Sequence, residues 1–225
     1  MPQVEFKANG STAAGYLALP ESGSGPGVVV LQEWWGVDDH IRSVCDRLAA
    51  DGFVALAPDL YHGETAEAPD EAQQKMMAMS MDRAELEMSG AVDHLAALEA
   101  TTGDGVGAIG FCLGGGLAVW AASVNAKIRA VVSFYYVMPH GKPDFTKIGA
   151  PVLGHFGTAD DFIPVETAEG LLGELRSAGV EAEFVFYEGA GHAFFNDTNR
   201  LGTYDPDAAA RAWRRSVEFI SENVS

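Results

Sequence analysis

Gly110-Phe111-Cys112-Leu113-Gly114-Gly115-Gly116 puts a thiol at the centre of a G-x-nucleophile-x-G segment. It comes directly after the apolar run Val106 to Phe111 and before the helical stretch Leu117 to Ala122. Between a strand and a helix, such a segment turns tightly and lifts its central side chain out of the sheet, with glycines where any Cβ would clash. The unpaired N–H groups and positive dipole end of the following helix favour a thiolate, and the Leu113 amide is placed to hold an oxyanion. A buried structural cysteine, the common fate of a free Cys, would leave the three glycines and the strand-to-helix boundary unexplained. Cys45, inside the amphipathic run Ile41 to Ala50, has no such setting and reads as core packing.

A nucleophile of this kind needs a base, and the base needs an orienting carboxylate. Gly157-Thr158-Ala159-Asp160-Asp161-Phe162-Ile163-Pro164 follows the run Val152 to Phe156, and Gly189-Ala190-Gly191-His192 follows Glu183 to Tyr187. Both fall at a strand's carboxyl end, where parallel sheets place their sites. Asp160 and Asp161 point in different directions and only one can reach the imidazole; Asp160 is favoured. Gln32-Glu33-Trp34-Trp35-Gly36 follows Val28 to Leu31 in the same manner, so Glu33 sits beside two indoles and the Trp34 amide is a second candidate oxyanion donor. A carboxylate near a thiol would pair with it at rest and hold it neutral until substrate displaces the contact. His40, His62, His94, His140 and His155 lie in no motif and read as structural or solvated.

Gly105-Val106-Gly107-Ala108-Ile109-Gly110 has the spacing of a dinucleotide fingerprint in the wrong context. Its glycines lead through a strand rather than from strand into helix, and no carboxylate for a ribose stands about twenty residues on. The two cysteines form no C-x-x-C pair. Neither a cofactor nor a metal is expected.

The elements that must position these residues alternate along the chain. Val4 to Lys7 and Ala13 to Leu19 flank Asn9-Gly10 and predict an antiparallel hairpin. Short continuous apolar runs then predict strands at Val28 to Leu31, Phe53 to Ala57, Val106 to Phe111, Ala130 to Phe134, Val152 to Phe156 and Glu183 to Tyr187, each buried on both faces. Helical stretches between them cover Asp39 to Ala50, one segment near Asp70 to Ala100, a helix from Leu113, and Val165 to Ser177, with Asp207 to Ile220 closing the chain. Six strands separated by helices imply an α/β fold with a mostly parallel sheet covered on both faces, and no linker divides residues 1–225 into two domains. Met76, Met77, Met79, Met81 and Met88 lie on the long helical segment, where thioethers either pack the core or line a pocket; packing is favoured. His62 to Ala68 is weakly patterned, a solvated connection or a loop over the site.

The 225 residues are 48% hydrophobic and 20% charged, a composition that folds on apolar burial alone. Fourteen Lys+Arg against 32 Asp+Glu leave a charge of -18. That field repels phosphodiesters and anionic lipid, so nucleic acid and membrane are poor partners. Unpaired cysteines, no membrane-span-length apolar run and no cationic apolar leader predict a cytoplasmic protein. The acidic surface is also what a high-salt habitat would produce.

The chain resembles the dienelactone hydrolase (carboxymethylenebutenolidase) family of α/β-hydrolases over nearly its whole length. The shared marks are Gln32-Glu33 before Gly36, Ala57-Pro58-Asp59-Leu60-Tyr61, Gly110-Phe111-Cys112-Leu113-Gly114-Gly115, Gly157-Thr158-Ala159-Asp160 and Gly191-His192-Ala193-Phe194. The resemblance implies an α/β-hydrolase fold and a triad of Cys112, His192 and Asp160, the family spacing selecting Asp160 over Asp161. It further implies Glu33 as the carboxylate controlling the thiol, backbone donors at Leu113 and Trp34, and Tyr135 as a pocket aromatic. Family members acting on dienelactones bind the substrate carboxylate with two arginines. Here Asn196 stands at one of those positions, and Lys75 is the only cation near the other, with Gln74 the nearest match; Arg83 and Arg200 remain as replacements. With a charge of -18, a neutral small-molecule ester or lactone against an apolar wall of Trp35, Tyr135 and Phe194 is the expected substrate. The competing expectation is a catalytically silent hydrolase-like fold that binds a ligand or senses oxidants through its thiol.

Overall fold

The computed structural model describes residues 3–8 and 10–224. Its centre is one eight-stranded sheet in the order β1-β2-β4-β3-β5-β6-β7-β8. β1 (Gln3–Ala8) and β2 (Ser11–Ala18) pair antiparallel. Gly10 adopts φ +100° at their turn, whereas Asn9 lies outside the described residues. β2 also runs antiparallel to β4 (Val54–Pro58). From there β4, β3 (Gly25–Leu31), β5 (Thr101–Phe111), β6 (Ile128–Phe134), β7 (Val152–Gly157) and β8 (Ala182–Tyr187) are parallel, as the six-strand pattern predicts.

The continuous apolar runs are explained by helices on both faces. Along β3, Val29 and Leu31 enter a core built with α3 (Met81–Ala97), α4 (Leu113–Val124) and α5 (Val165–Ser177). Val28 and Val30 point the other way, into a core built with α1 (Asp39–Ala50) and α6 (Pro206–Val224). All four valine and leucine side chains are fully buried, each contributing about 1.5–3 kcal/mol by leaving water. α1 starts where the Asp38 carboxylate accepts the Ile41 amide at 3.1 Å, satisfying one of the free donors of the first turn.

The single helix expected near Asp70 to Ala100 is two, α2 (Pro69–Ala78) and α3. Met79 and Ser80 are extended between them, and the Ser80 side chain caps no amide of α3. The methionines divide by helix face rather than by helix: Met76 and Met88 are buried while Met77 is 56% exposed.

His155 on β7 is fully buried. It accepts from Tyr187 Oη at Nδ1 (2.9 Å) and donates from Nε2 to Ser216 Oγ (3.0 Å), whose own proton goes to Ala212 O (2.8 Å). The chain ties β7, β8 and α6 with every donor used, and burial pulls the imidazole down to about 3. Among the described residues no helix is long and apolar enough to cross a membrane.

Candidate active site

Cys112 ends β5 and opens α4 at φ +54°, ψ −116°, a conformation costly to a residue with a Cβ. It is held by neighbours that leave no alternative. The Cys112 amide donates to Phe134 O at 3.1 Å, and its carbonyl accepts from the Gly115 and Val137 amides at 2.9 and 3.1 Å. A Cβ on Gly114 would lie 2.1 Å from Leu31 O, and one on Gly110 1.9 Å from Gly114 O. These glycines let the start of α4 press onto the end of β3, and that contact creates the elbow.

The loops after β3, β7 and β8 converge on the same rim. His192 Nδ1 lies 2.8 Å from Asp160 Oδ2, with both side chains buried. Asp160 Oδ1 accepts the Phe162 and Ile163 amides at 2.8 Å each. That fixes the carboxylate beside the imidazole and leaves Asp161 outside the pair. Burial pulls His192 down, but the hydrogen bond to Asp160 and the nearby Cys112 thiol outweigh it, and the imidazole is pushed up to about 10.

A cavity of about 210 Å³ brings Cys112 and His192 together with Glu33, Trp34 and Trp35. Cys112 is only 7% exposed, so its sulfur faces this cavity rather than open solvent. The remaining wall is Gln73, Met76, Val137, Phe162, Ala193 and Leu201. Gln73, Val137 and Leu201 lie in none of the sequence motifs, while Met76, for which the sequence favours core packing, both packs the core and lines this cavity. Met76 and Gln73 share a face of α2 at helical spacing, and Phe162 follows the Asp160 turn; those were the signals available. No Lys or Arg is among the residues lining the cavity, and among the described residues no cluster of His, Cys, Asp and Glu could hold a metal.

Several expected positions lie elsewhere. Lys75 lines a separate cleft of about 290 Å³ with Tyr61, His62 and Arg83, paired with Glu64 and, at 3.8 Å, with Glu71. Arg83 is bound to Glu87 at 2.7 Å. Arg200 covers the Trp35 ring at 4.9 Å and faces Asp38 at 3.4 Å. None of the three cations lines the Cys112 cavity, because each has an acidic partner outside it. Tyr135 and Phe194 are fully buried behind the cavity rather than on its wall. The Tyr135 ring packs 5.0 Å from His192, and Phe194 lies between Tyr135 and Tyr187 at 5.6 and 5.0 Å.

Asn196 is also behind the wall. It donates from Nδ2 to Glu33 Oε2 at 2.6 Å, its orientation set because Oδ1 accepts from Thr198 N and Oγ1. Tyr135 Oη donates to Glu33 Oε1 at 3.2 Å. Glu33 is thus held by Tyr135 and Asn196. This differs from the resting Glu33–thiol pair expected from sequence, because two buried donors compete for the carboxylate. Burial raises Glu33 above the usual carboxylate range, with Asp38 adding to the rise and His40, Asn196 and His192 opposing it.

Comparison with known proteins agrees with this geometry. Residues 13–224 match the model of the dienelactone hydrolase family. The chain is 37% identical to "Protein usf" of Aquifex pyrophilus, covering 99% of this chain and 98% of that one. It is 35% identical to an Aquifex aeolicus protein named "Putative carboxymethylenebutenolidase", covering 96% of each. Among solved structures, a dienelactone hydrolase-like promiscuous phosphotriesterase from metagenomic libraries superposes with a TM-score of 0.88 at 27% identity, over 100% of this chain and 98% of that one. The chain belongs to the dienelactone hydrolase family and is a dienelactone hydrolase-like hydrolase of the α/β-hydrolase superfamily.

Proposed function

We propose that the protein hydrolyses small, uncharged esters or lactones through a Cys112–His192–Asp160 triad and a covalent acyl-cysteine. The observation that carries this reading is the 210 Å³ cavity, which Cys112 and His192 both line against an apolar wall without a cation. The Cys112 thiolate attacks the carbonyl carbon, and the electron pair of the C=O bond moves to oxygen, where the Leu113 and Trp34 amides receive it. Collapse re-forms the carbonyl and expels the alkoxide, which takes a proton from His192. The imidazole enters this step protonated because its hydrogen bond to Asp160 and the adjacent thiol hold it up to about 10.

Acylation removes the sulfur's charge and with it part of the force holding that proton. The neutral imidazole left behind then takes a proton from water, the hydroxide adds to the thioester, and the thiolate leaves as the carboxylic acid forms. Asp160 keeps one ring nitrogen turned toward the sulfur throughout. A reducing, cytoplasmic setting keeps both free thiols available.

The test is turnover of p-nitrophenyl esters and neutral lactones by Cys112→Ala, with mass spectrometry of the acylated wild type. Loss of turnover and an acyl adduct confined to Cys112 are expected. Wild-type rates in Cys112→Ala would refute the nucleophile. Absence of any adduct, with reversible peroxide oxidation of Cys112 in its place, would turn the reading to a redox-sensing protein.

A further inference from the structure

Phe162 is 63% exposed, a large apolar ring kept in water. Single exposed apolar side chains are ordinary on a protein surface, but this one lines the Cys112 cavity. Its ring centroid lies 4.9 Å from that of His192, with the planes inclined at 44°. The loop is not free to put it elsewhere: the Phe162 amide donates at 2.8 Å to Asp160 Oδ1, and the other oxygen of that carboxylate meets His192 Nδ1. Tyr135, fully buried, packs on the imidazole from the interior at 5.0 Å. Phe162 covers it from the solvent side. Because Nδ1 is engaged by Asp160, a leaving group collects its proton from Nε2, so it departs beside this ring.

We infer that Phe162 is a specificity-determining residue that selects esters of phenols: the aromatic ring of the leaving group packs on Phe162 while its oxygen takes the His192 proton. Of the Trp and Phe residues on the cavity wall, Trp35 is buried, whereas Trp34, whose ring meets Trp35 edge-on at 5.0 Å, is only half-buried. Trp34 and Phe162 are therefore the two rings that an entering group reaches. An apolar cavity of ~150 Å³ accepts benzene, so the 210 Å³ here takes one ring and a short acyl chain. In the step that uses this contact, the C–S bond forms as the thiolate attacks. The C–O bond to the aryl oxygen breaks with its electron pair left on that oxygen, and the Nε2 proton passes to it. A neutral phenol departs and the acyl group stays on Cys112. The leaving group's place beside His192 rests on the Cys112–His192–Asp160 reading; the contact of an aromatic ring with Phe162 does not.

The experiment compares two acetate esters whose leaving groups have matched acidity, one a phenol and the other a fluorinated aliphatic alcohol, so that bond strength does not separate them. In the wild type kcat/KM should favour the aryl ester. In Phe162→Leu the aryl-to-aliphatic ratio should fall by about two- to tenfold, the size of an aromatic pair, and Phe162→Tyr should restore it. Competitive inhibition by phenol against cyclohexanol reads the same contact without the chemistry, and that affinity ratio should fall by a similar factor in Phe162→Leu. Ratios unmoved in Phe162→Leu overturn the inference. This includes the case in which both esters slow equally and the pH limb shifts, which would make Phe162 only a support for the imidazolium through its ring face. Turnover retained by Cys112→Ala, with phenol selectivity still lost in Phe162→Leu, refutes the nucleophile instead and leaves the aryl contact standing.

Discussion

Gln73→Arg tests the absence of a cation most directly, because Gln73 lines the cavity on an exposed position of α2. Two aryl esters of equal size serve as probes, one acyl group ending in a carboxylate and the other in the corresponding carboxamide. In the wild type the carboxylate must leave water for an apolar wall, a cost of several kcal/mol for an unpaired ion that water at the cavity mouth reduces. The carboxamide should therefore be preferred by at least about tenfold in kcat/KM. An arginine at position 73 would meet the carboxylate at ~5 Å, where Coulomb attraction is about 1–3 kcal/mol between the bulk-water and near-surface dielectrics. Exposure at the rim discounts that to about 1 kcal/mol, or about a fivefold gain for the anionic ester with little change for its neutral twin. The gain should appear mainly in KM, since the contact is the same in ground and transition states, and should shrink as salt rises. A wild type that hydrolyses both esters equally, or a variant whose ratio does not move, would refute the neutral-substrate reading.

Two further predictions concern the scaffold. His155, held at about 3 in the folded state against ~6.5 in the unfolded chain, binds its proton only on unfolding. Its contribution to stability is present above pH 6.5 and is lost as pH falls toward 3, amounting to about 2 kcal/mol between pH 7 and 5. Chemical denaturation of His155→Gln against wild type should show that difference shrinking on acidification, and parallel pH curves would contradict it. Gly114→Ala places a Cβ 2.1 Å from Leu31 O and 2.6 Å from Gln32 O, both backbone, and should cost about 2 kcal/mol or more in urea unfolding. Gly173→Ala, on α5 with nothing within 4 Å, should stabilise by about 0.5–1 kcal/mol, so equal effects of the two would undo the close-approach argument.

The sequence alone determined what is local or periodic. The strand-to-helix glycines around Cys112, the alternation of apolar runs with amphipathic helices, and the strand-end positions of Glu33, Asp160 and His192 are all short-range patterns, and β3 with its two-sided burial follows from one of them. The break at Met79-Ser80 was harder to see because a helix can run through serine and methionine; only packing chooses the interruption. Tertiary structure decided what depends on direction across the sheet. It turned Asp160, and not Asp161, onto His192, because two backbone amides fix that carboxylate. It sent Lys75, Arg83 and Arg200 to acidic partners outside the cavity. It placed Tyr135 and Asn196 behind Glu33, and it buried His40, in no motif at all, against Asp197. Residue type and spacing declare which groups are present at a strand end, whereas the partner each finds depends on side chains delivered from β6, α1 and the loop after β8. Those contacts span much of the chain and leave no periodic trace in it.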